Sequence, residues 1–194
     1  MQELIFVSTN KGKIEDINLL LNGHFEVKGL YDIGHTEEIE ETGLTLQENA
    51  LIKAQTIAHL YHVNCFADDS GLMIEALNNQ PGVKSARFAG DNATDKDNMK
   101  KVLKLMHGEE NRKASFNTVI CLIWNHTNYY FEGKIDGTIA EVPMGENGFG
   151  YDPIFIPNGF DVSFAQMTNE EKNKISHRKI AVKKLINQLN SFAK

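Results

Sequence analysis

Two neighbouring carboxylates, Asp68 and Asp69, end a run of apolar residues in the segment CFADDSGL. Because the preceding residues are apolar, at least one of the two carboxylates should point into a partly dehydrated setting. Adjacent carboxylates repel each other, and a hard cation with oxygen ligands offsets that repulsion best. The alternative is an Asx turn that closes a hairpin, a role that Gly71 would also serve. The pair is therefore a candidate cation site.

A second group of acids lies upstream in the segment EEIEETG, just before a predicted helix. Its members are Glu37, Glu38, Glu40 and Glu41. Taken alone, such a run of charges is typical of a solvated surface. Mg²⁺, however, commonly takes one or two carboxylates together with phosphate oxygens of a substrate. One acid from each of the two segments would fit such a magnesium and phosphate site.

The turn that leads from the first predicted strand into the first predicted helix, residues 8–13, has the composition of a phosphate site. Ligands of open α/β sheets bind at the carboxyl ends of strands, and a helix N-terminus offers unpaired N–H groups with a partial positive charge. Ser8, Thr9 and Asn10 add neutral donors, and Lys13 adds a cation one turn on. The alternative is an asparagine cap beside solvent-exposed lysines. The signature of a Walker A loop is missing.

The segment GFGYDP is a candidate for contact with a planar base. It places Phe149 and Tyr151 around glycines, where aromatic rings can stand exposed. Two aromatic residues near glycines are more often part of a core, so packing is the alternative interpretation.

The start of the last predicted helix carries the basic residues Lys172, His177 and Arg178, with Ser176 as its predicted cap. Basic residues at a helix N-terminus oppose the helix dipole, and a local rule broken without visible compensation indicates a functional site. Arg and His can donate to the 6-keto oxygen of a purine, whereas adenine presents an amino group there. Unpaired buried donors are costly, which gives a physical basis for excluding ATP.

The elements that must position these residues follow from the period of hydrophobicity. The segments LIFVST and FEVKGL predict strands, with a helix between them that carries Ile14, Ile17, Leu20 and Leu21 on one face. Thr45 and Glu48 form a capping box before a helix from about Leu46 to Tyr61. The segment CFADDSGLMIEAL predicts a strand, an acidic turn and a second strand.

The second half of the chain predicts a helix from about Asp95 to Met106, then two long antiparallel strands joined at 125–128. A glycine-punctuated loop follows, and Thr168 and Glu171 cap a short turn before a terminal amphipathic helix. This alternation predicts a mixed α/β chain with a sheet covered by helices.

The composition and charge of the chain exclude some classes of protein. The chain has 194 residues, 41% hydrophobic and 24% charged, and a net charge of −6, which argues against broad nucleic-acid binding. Cys65 and Cys121 lie in apolar runs without metal-ligand spacing, so we expect buried, reduced thiols. The first residues lack a signal-peptide pattern and no apolar stretch could span a bilayer, which favours a cytoplasmic protein.

The segments STNKGK, EETGLTLQENALIKA, ADDSGL, PGVKSARFAG, GFGYDPIF and EEKNKISHR occur together and in this order. In this the chain resembles the inosine/xanthosine triphosphate pyrophosphatases over nearly its whole length. The resemblance implies an α/β fold with an elongated mixed β-sheet flanked by helices, two lobes and a central nucleotide-binding cleft. It also implies one pyrophosphatase domain over residues 1–194, a homodimer, and hydrolysis of ITP, dITP and XTP to the monophosphate and pyrophosphate.

The same resemblance implies residue roles. Glu40 and Asp69 would ligate Mg²⁺, with Glu41 as the alternative to Glu40, and Asp69 would also activate the attacking water. The substrate-binding residues would be Ser8, Thr9, Asn10, Lys11, Gly12, Lys13, Lys53, Ser70, Phe149, Gly150, Tyr151, Asp152, Lys172, His177 and Arg178. The family often has Thr-Gly-Asn in the first loop, where this chain has Ser8-Thr9-Asn10, and Thr cannot cheaply adopt the backbone conformations of glycine.

Two rival functions stay open at the level of sequence. A related Maf-like pyrophosphatase would share the phosphate and metal residues but act on other nucleotides, and His177 and Arg178 favour the purine-keto interpretation over it. A nucleotide sensor would bind without turnover. Asp69 and the second acidic segment argue against a sensor, because binding alone does not require a carboxylate that activates water.

Overall fold

The computed structural model describes residues 2–9, 14, 17, 18 and 25–192 of the chain, and its described part is a mixed α/β fold. The helices are α1 (Leu46–Tyr61), α2 (Asp95–Leu105), α3 (Asn169–Ile175) and α4 (His177–Phe192). The strands are β1 (Gln2–Phe6), β2 (Phe25–Lys28), β3 (Cys65–Ile74), β4 (Gln80–Pro81), β5 (Lys113–Trp124), β6 (Thr127–Ile139) and β7 (Phe155–Pro157). The predicted fold class is confirmed, while most of the helix predicted between the first two strands lies outside the described residues.

The strands form a sheet in the order β2-β1-β3-β5-β6-β7, and β4 pairs with β3. β1 is parallel to β2 and to β3, with Ile5 opposite Cys65 and Phe6 opposite Phe66. The pairs β3–β4 and β6–β7 are antiparallel, so the sheet is mixed. The parallel register matters for function, because it places the carboxyl end of β1 beside the part of β3 that leads into Asp68 and Asp69.

The chain divides into two compact units. Unit 1 comprises Met1–Asp69, Val119–Glu132 and Ala181–Lys194, and unit 2 comprises Ser70–Thr118 and Gly133–Ile180. The prediction of a single pyrophosphatase domain stays a prediction.

Unit 1 buries both faces of its strands, which explains why LIFV is apolar without alternation. Leu4 and Phe6 pack in one core cluster, whereas Ile5 and Val7 pack in a second cluster against α1. The first cluster includes Trp124, whose ring stacks on Phe192 of α4 with centroids 5.1 Å apart.

Unit 2 has its own core, in which aromatic rings from separate segments meet. Phe116 of β5 lies 4.6 Å from Phe155 of β7 and 6.0 Å from Phe164, measured between ring centroids. Val102 and Met106 of the α2 segment are fully buried in the same cluster. Unit 2 therefore has a hydrophobic interior of its own.

Helix α1 begins and ends where the sequence predicts. Thr45 Oγ1 accepts a hydrogen bond from Glu48 N at 3.1 Å, and Glu48 Oε2 accepts from Thr45 N at 3.0 Å, so the capping box is formed. The helix ends at Tyr61, and the residue that caps it, His62, takes a left-handed conformation. Helix α2 and the short helix α3 have capping boxes of the same kind, at Thr94 and Asp97 and at the predicted pair Thr168 and Glu171.

The acidic turn predicted at Asp68 and Asp69 is wrong, because β3 continues without interruption from Cys65 to Ile74. The local preference of Asp, Ser and Gly for turns is outweighed by pairing within the sheet. Gly71 is required for close packing instead of for a turn, since a Cβ at this position would overlap the carbonyl oxygen of Gly82. The continuous strand sends the Asp68 and Asp69 side chains to opposite faces.

The two long strands β5 and β6 are confirmed, and the connection between them is shorter than predicted. Asn125 and His126 form a two-residue turn, both with positive φ, as hairpin geometry requires. The two cysteines are buried and free, as expected, and burial raises the pKa of Cys121 to about 11. None of the described helices has the length and apolar composition needed to cross a membrane.

Candidate active site

The turn after β1 lies beside the acidic middle of the neighbouring parallel strand β3. Val7 N donates to the Phe66 carbonyl at 2.8 Å, which places Ser8 next in register with the residues that follow Phe66. Ser8 is half-buried and Thr9 exposed, and Thr9 is not among the described residues with positive φ. Asn10, Lys11, Gly12 and Lys13, the rest of the predicted phosphate loop, lie outside the described residues.

Asp69 is a largely buried carboxylate inside β3, with 12% of its side chain exposed. Burial is the main cause that raises the pKa of Asp69 to about 6. The positive charge of Lys53 opposes this rise, whereas the negative charge of Glu41 adds to it. A carboxyl group with a pKa near neutrality can both hold and release a proton, which suits a general base. Asp68 is buried as well, with its backbone carbonyl accepting from Lys53 at 2.8 Å.

Lys53 connects the acidic loop to Asp69. Its Nζ lies 2.7 Å from Oε1 of Glu41 and 3.3 Å from Oδ1 of Asp69. Burial alone would lower the pKa of Lys53, but the charges of Asp69 and Glu41 outweigh it and the pKa is raised. The lysine therefore stays protonated and balances one of two neighbouring negative charges. Lys53 lies about two turns inside α1, and the capping box that starts the helix at Thr45 sets this position.

The structure distinguishes the two candidate acids of the loop. Glu41 is half-buried and paired with Lys53, whereas Glu40 is exposed. The prediction that Glu40 ligates a metal stays a prediction, and the geometry places its alternative, Glu41, in the group around Asp69. Among the described residues, no group of three or more His, Cys, Asp or Glu side chains could hold a metal ion. Any cation here would need ligands beyond the acids.

The other oxygen of Asp69 faces a buried amide. Asn49 Nδ2 lies 3.4 Å from Oδ2 of Asp69, and Asn49 Oδ1 accepts from Gly43 N at 2.8 Å. Asn49 has no exposed surface. Sequence reasoning missed this residue, although a signal existed: Asn49 follows Leu46 by three positions and therefore lies on the predicted apolar face of α1.

Ser70, a predicted substrate contact, is held by a buried hydroxyl. Its Oγ lies 2.7 Å from Oγ1 of Thr118, a fully buried residue of β5. Thr118 is a second residue that sequence reasoning missed, because nothing local in β5 separates it from an ordinary strand threonine. The pair limits the directions in which Ser70 can present its hydroxyl group.

Unit 2 contains a separate group of the predicted residues, centred on Asp152. This carboxylate is buried, and its Oδ2 accepts from Phe149 N at 2.9 Å and from Lys172 Nζ at 2.5 Å. Gly148 is needed here, because a Cβ on it would overlap Oδ2 of Asp152. A buried ion pair with an additional backbone donor fixes the loop geometry.

The ring of Phe149 is 59% exposed and lies under two cations. Lys172 Nζ is 4.8 Å and Arg178 Cζ is 5.7 Å from its centroid. An exposed aromatic face beside hydrogen-bond donors can stack on a planar base and reach its polar edge. The exposed ring predicted at this position is therefore confirmed for Phe149.

Two neighbours of Phe149, Gly150 and Tyr151, are less exposed than its ring. The Tyr151 ring is 4% exposed and its hydroxyl donates to the Ser85 carbonyl at 2.8 Å, so the predicted exposed ring is wrong for this residue. The reason is that the hydroxyl finds its partner inside unit 2. Gly150 has a φ of +60° and its N–H donates to Asp95 at 2.7 Å. The substrate-binding roles of Gly150 and Tyr151 stay predictions.

The imidazole of His177 stacks on Phe116 with centroids 4.9 Å apart. Ser176 caps α4 as predicted, since its Oγ accepts from Lys179 N at 3.3 Å.

The structure thus brings the predicted site residues together in two groups. Glu41, Lys53 and Asp69 meet within unit 1, and Phe149, Asp152, Lys172 and Arg178 meet within unit 2.

Comparison with known sequences decides the family. The sequence model described as the Ham1 family matches residues 4–188. The chain belongs to the Ham1 family. Among relatives, a dITP/XTP pyrophosphatase of Porphyromonas gingivalis is 50% identical over 186 residues, which covers 95% of this chain and 96% of the relative.

Solved Ham1 structures have the same fold over almost their whole length. The Ham1 protein of Staphylococcus aureus matches with a TM-score of 0.93 and 38% identity, covering 98% of this chain and 99% of that one. The HAM1 protein of Coxiella burnetii matches with a TM-score of 0.94 and 40% identity, covering 98% and 100%. Membership of the Ham1 family is thus supported by both sequence and architecture.

Proposed function

We propose that this chain is a nucleoside triphosphate pyrophosphatase that hydrolyses ITP, dITP and XTP to the monophosphate and pyrophosphate. The observation that carries the proposal is the buried carboxylate of Asp69, whose pKa is raised to about 6, held against Lys53 and Glu41. Ham1 relatives that carry the name dITP/XTP pyrophosphatase support the choice of substrates. We assign the phosphate chemistry to the residues around Asp69 and base recognition to those around Phe149.

The reaction requires water to attack the α-phosphorus of the substrate. Asp69 accepts a proton from the water as its oxygen bonds to phosphorus, the bond from the α-phosphorus to the bridging oxygen breaks, and pyrophosphate leaves with the electron pair. A base can do this only when ionised, and a pKa of about 6 leaves Asp69 largely ionised at neutral pH. Lys53, beside Asp69, would favour that ionised form and oppose negative charge that develops nearby.

Magnesium fits the chemistry of the residues in unit 1. Asp69 and Glu41 provide carboxylate oxygens, the hard ligands that Mg²⁺ prefers, and two acids leave room for water and phosphate oxygens. Glu40 is the neighbouring acid that sequence reasoning preferred as ligand. When bound, Mg²⁺ would polarise phosphate oxygens and offset the charge that develops on them.

Base recognition would depend on Phe149 and its cationic neighbours. The exposed ring offers a stacking face, and Arg178 lies above it as a donor that suits a 6-keto oxygen. Adenine presents an amino donor at that position, and a donor such as the Arg178 guanidinium cannot hydrogen-bond to it. Lys172 pairs with Asp152, and its ammonium group also lies over the Phe149 ring. It would therefore hold Phe149 in position, and it is a candidate contact for the substrate.

A substrate panel tests the proposal. Purified protein would be assayed with dITP, ITP, XTP, dUTP, GTP and ATP, with Mg²⁺ and with a chelator, while pyrophosphate release is measured. We expect turnover of the first three nucleotides in the presence of Mg²⁺. Equal rates with ITP and ATP would contradict the assigned base specificity, a preference for dUTP would favour a Maf-like activity, and binding without turnover would indicate a sensor. A cytoplasmic homodimer stays a prediction.

A further inference from the structure

Asn49 lies at the fourth position of α1 and joins two parts of unit 1. Its Oδ1 accepts from the backbone N–H of Gly43 at 2.8 Å, in the loop that carries Glu41. Its Nδ2 lies 3.4 Å from Oδ2 of Asp69 in β3. The side chain is fully buried, so both of its polar ends are used inside the protein.

The orientation of the amide follows from its partners. The backbone N–H of Gly43 is a donor and requires an acceptor, so the carbonyl oxygen of Asn49 must face it. The opposite end, which faces Asp69, is therefore the NH₂ group. Rotating the amide by half a turn would place a donor against Gly43 and an oxygen against the Asp69 carboxylate, and both contacts would be lost.

The contact with Gly43 requires a residue without a side chain. A Cβ on Gly43 would lie 2.6 Å from Oδ1 of Asn49 and 2.7 Å from Cβ of Glu48. The loop backbone thus lies directly against the start of α1. Any change in the position of Asn49 would be transmitted to this loop, and through it to Glu41 two residues earlier.

The two oxygens of Asp69 have different partners. Oδ1 faces the Lys53 ammonium at 3.3 Å, and Oδ2 faces the Asn49 amide at 3.4 Å. Lys53 and Asn49 lie on α1 four positions apart, so one face of the helix holds both oxygens of the carboxylate. A carboxylate held at both oxygens cannot rotate freely about its Cβ–Cγ bond.

We propose that Asn49 is a positioning residue of the hydrolytic reaction, which orients the Asp69 carboxylate and ties it to the acidic loop. The inference rests on the proposed function, since it assigns Asp69 the role of base. Asn49 acts through Asp69 and Gly43 and need not contact the substrate. Its loss should lower kcat more than it changes KM.

The chain offers a matched control in Asn98. This residue occupies the same position of α2, four residues after a capping threonine, and is 2% exposed. Its Oδ1 accepts from Ala89 N at 2.7 Å and its Nδ2 donates to the Ala86 carbonyl at 3.0 Å. Asn98 therefore joins a helix of unit 2 to a loop of the same unit. Both of its partners are backbone groups, whereas one partner of Asn49 is a carboxylate.

The experiment compares Asn49→Ala, Asn49→Asp and Asn98→Ala with the wild type. Asn49→Asp preserves the size of the side chain and the acceptor for Gly43. We therefore expect this variant to fold even if Asn49→Ala does not. Thermal unfolding identifies a temperature at which each variant is native, and kcat and KM for dITP are measured there. We expect kcat to fall roughly tenfold to hundredfold in both Asn49 variants, with KM within about threefold, because misplaced catalytic groups cost about that much. We expect Asn98→Ala to lose stability and keep kcat.

Three outcomes separate the possibilities. A folded Asn49 variant with kcat within about threefold of the wild type overturns the positioning role. An equal fall of kcat in Asn98→Ala also overturns it, because the effect would then be a general result of losing a buried amide. If the wild type itself does not turn over dITP with Mg²⁺, the proposed function fails first, and that failure is visible before any variant is measured.

Discussion

The Lys53 ammonium lies 3.3 Å from Oδ1 of Asp69, and both side chains are more than four-fifths buried. A buried carboxylate favours its protonated form, whereas a catalytic base must be ionised. The lysine opposes the effect of burial, and the resulting pKa of about 6 keeps Asp69 ionised at neutral pH. This pairing gives the first prediction.

Replacing Lys53 with Met should raise the pKa of Asp69 above about 6, because the charge that opposes burial is lost and Glu41 remains nearby. The fraction of ionised base at neutral pH then falls, and kcat/KM should drop roughly tenfold to hundredfold. Profiles of kcat/KM against pH should show the acid limb displaced to higher pH. Lys174→Met is the control, since Lys174 pairs with Glu170 on an exposed surface. An unmoved acid limb would contradict the role given to Lys53.

The adjacent acids Glu40 and Glu41 provide a matched pair of variants. Glu41→Gln should weaken Mg²⁺ binding about tenfold or more, because Glu41 is the acid that lies with Lys53 and Asp69. Glu40→Gln should change it by less than about threefold, since Glu40 is exposed. Calorimetric titration with Mg²⁺ or Mn²⁺ measures the affinity without turnover. The reverse order of effects would assign the metal to Glu40.

Replacing Asp69 with Asn should abolish most activity and stabilise the fold at alkaline pH. The pKa of Asp69 in the folded protein is about 6, above the ordinary aspartate value of 3.8, so the folded protein binds more protons than the unfolded chain between these values. Stability therefore decreases as pH rises through this window, and the full penalty is present above about pH 6. Asn removes that penalty, on the order of 3 kcal/mol.

Unfolding of the wild type and of Asp69→Asn would be followed at pH 8 and at pH 4 in the presence of a chelator. The variant should be more stable at pH 8, and the difference should shrink at pH 4. A constant difference would show that Asp69 titrates at its ordinary value. Turnover of ITP by the variant at the wild-type rate would exclude Asp69 as the base.

Phe149→Ala should raise KM for dITP about tenfold or more, since stacking of a base on an aromatic ring contributes about 1–3 kcal/mol. The free energy of unfolding should change by less than about 1 kcal/mol, because the ring is 59% exposed. Phe160→Ala is the control, as this ring is also exposed and belongs to unit 2. A KM equal to that of the control would exclude Phe149 as a stacking face.

Elements with local signals were predictable from the sequence. The limits of α1 follow from the capping box of Thr45 and Glu48 and from the apolar positions that begin at Leu46. The first strand follows from its continuous β-forming residues. In each case the information lies within a few neighbouring residues, so propensity and tertiary structure agree.

Features that depend on distant residues were not predictable. Asp68 to Gly71 has turn composition but pairs in a strand, and the packing of Gly71 against Gly82 is invisible in sequence. The choice between Glu40 and Glu41 depends on which side chain reaches Lys53, which requires the loop geometry. Asn49 was detectable in principle as a polar residue on an apolar helix face, yet its partners, Gly43 and Asp69, come from other segments.

Trp124 is the sole tryptophan of the chain, and it stacks on Phe192 near the end of α4. Its intrinsic fluorescence therefore reports on the core of unit 1, including the packing of the terminal helix onto it. The phenylalanine- and tyrosine-based core of unit 2 contributes no indole emission. Tryptophan fluorescence would therefore follow the part of the protein that contains Asp69 and Asn49, and circular dichroism or calorimetry would complement it for Asn98 in unit 2.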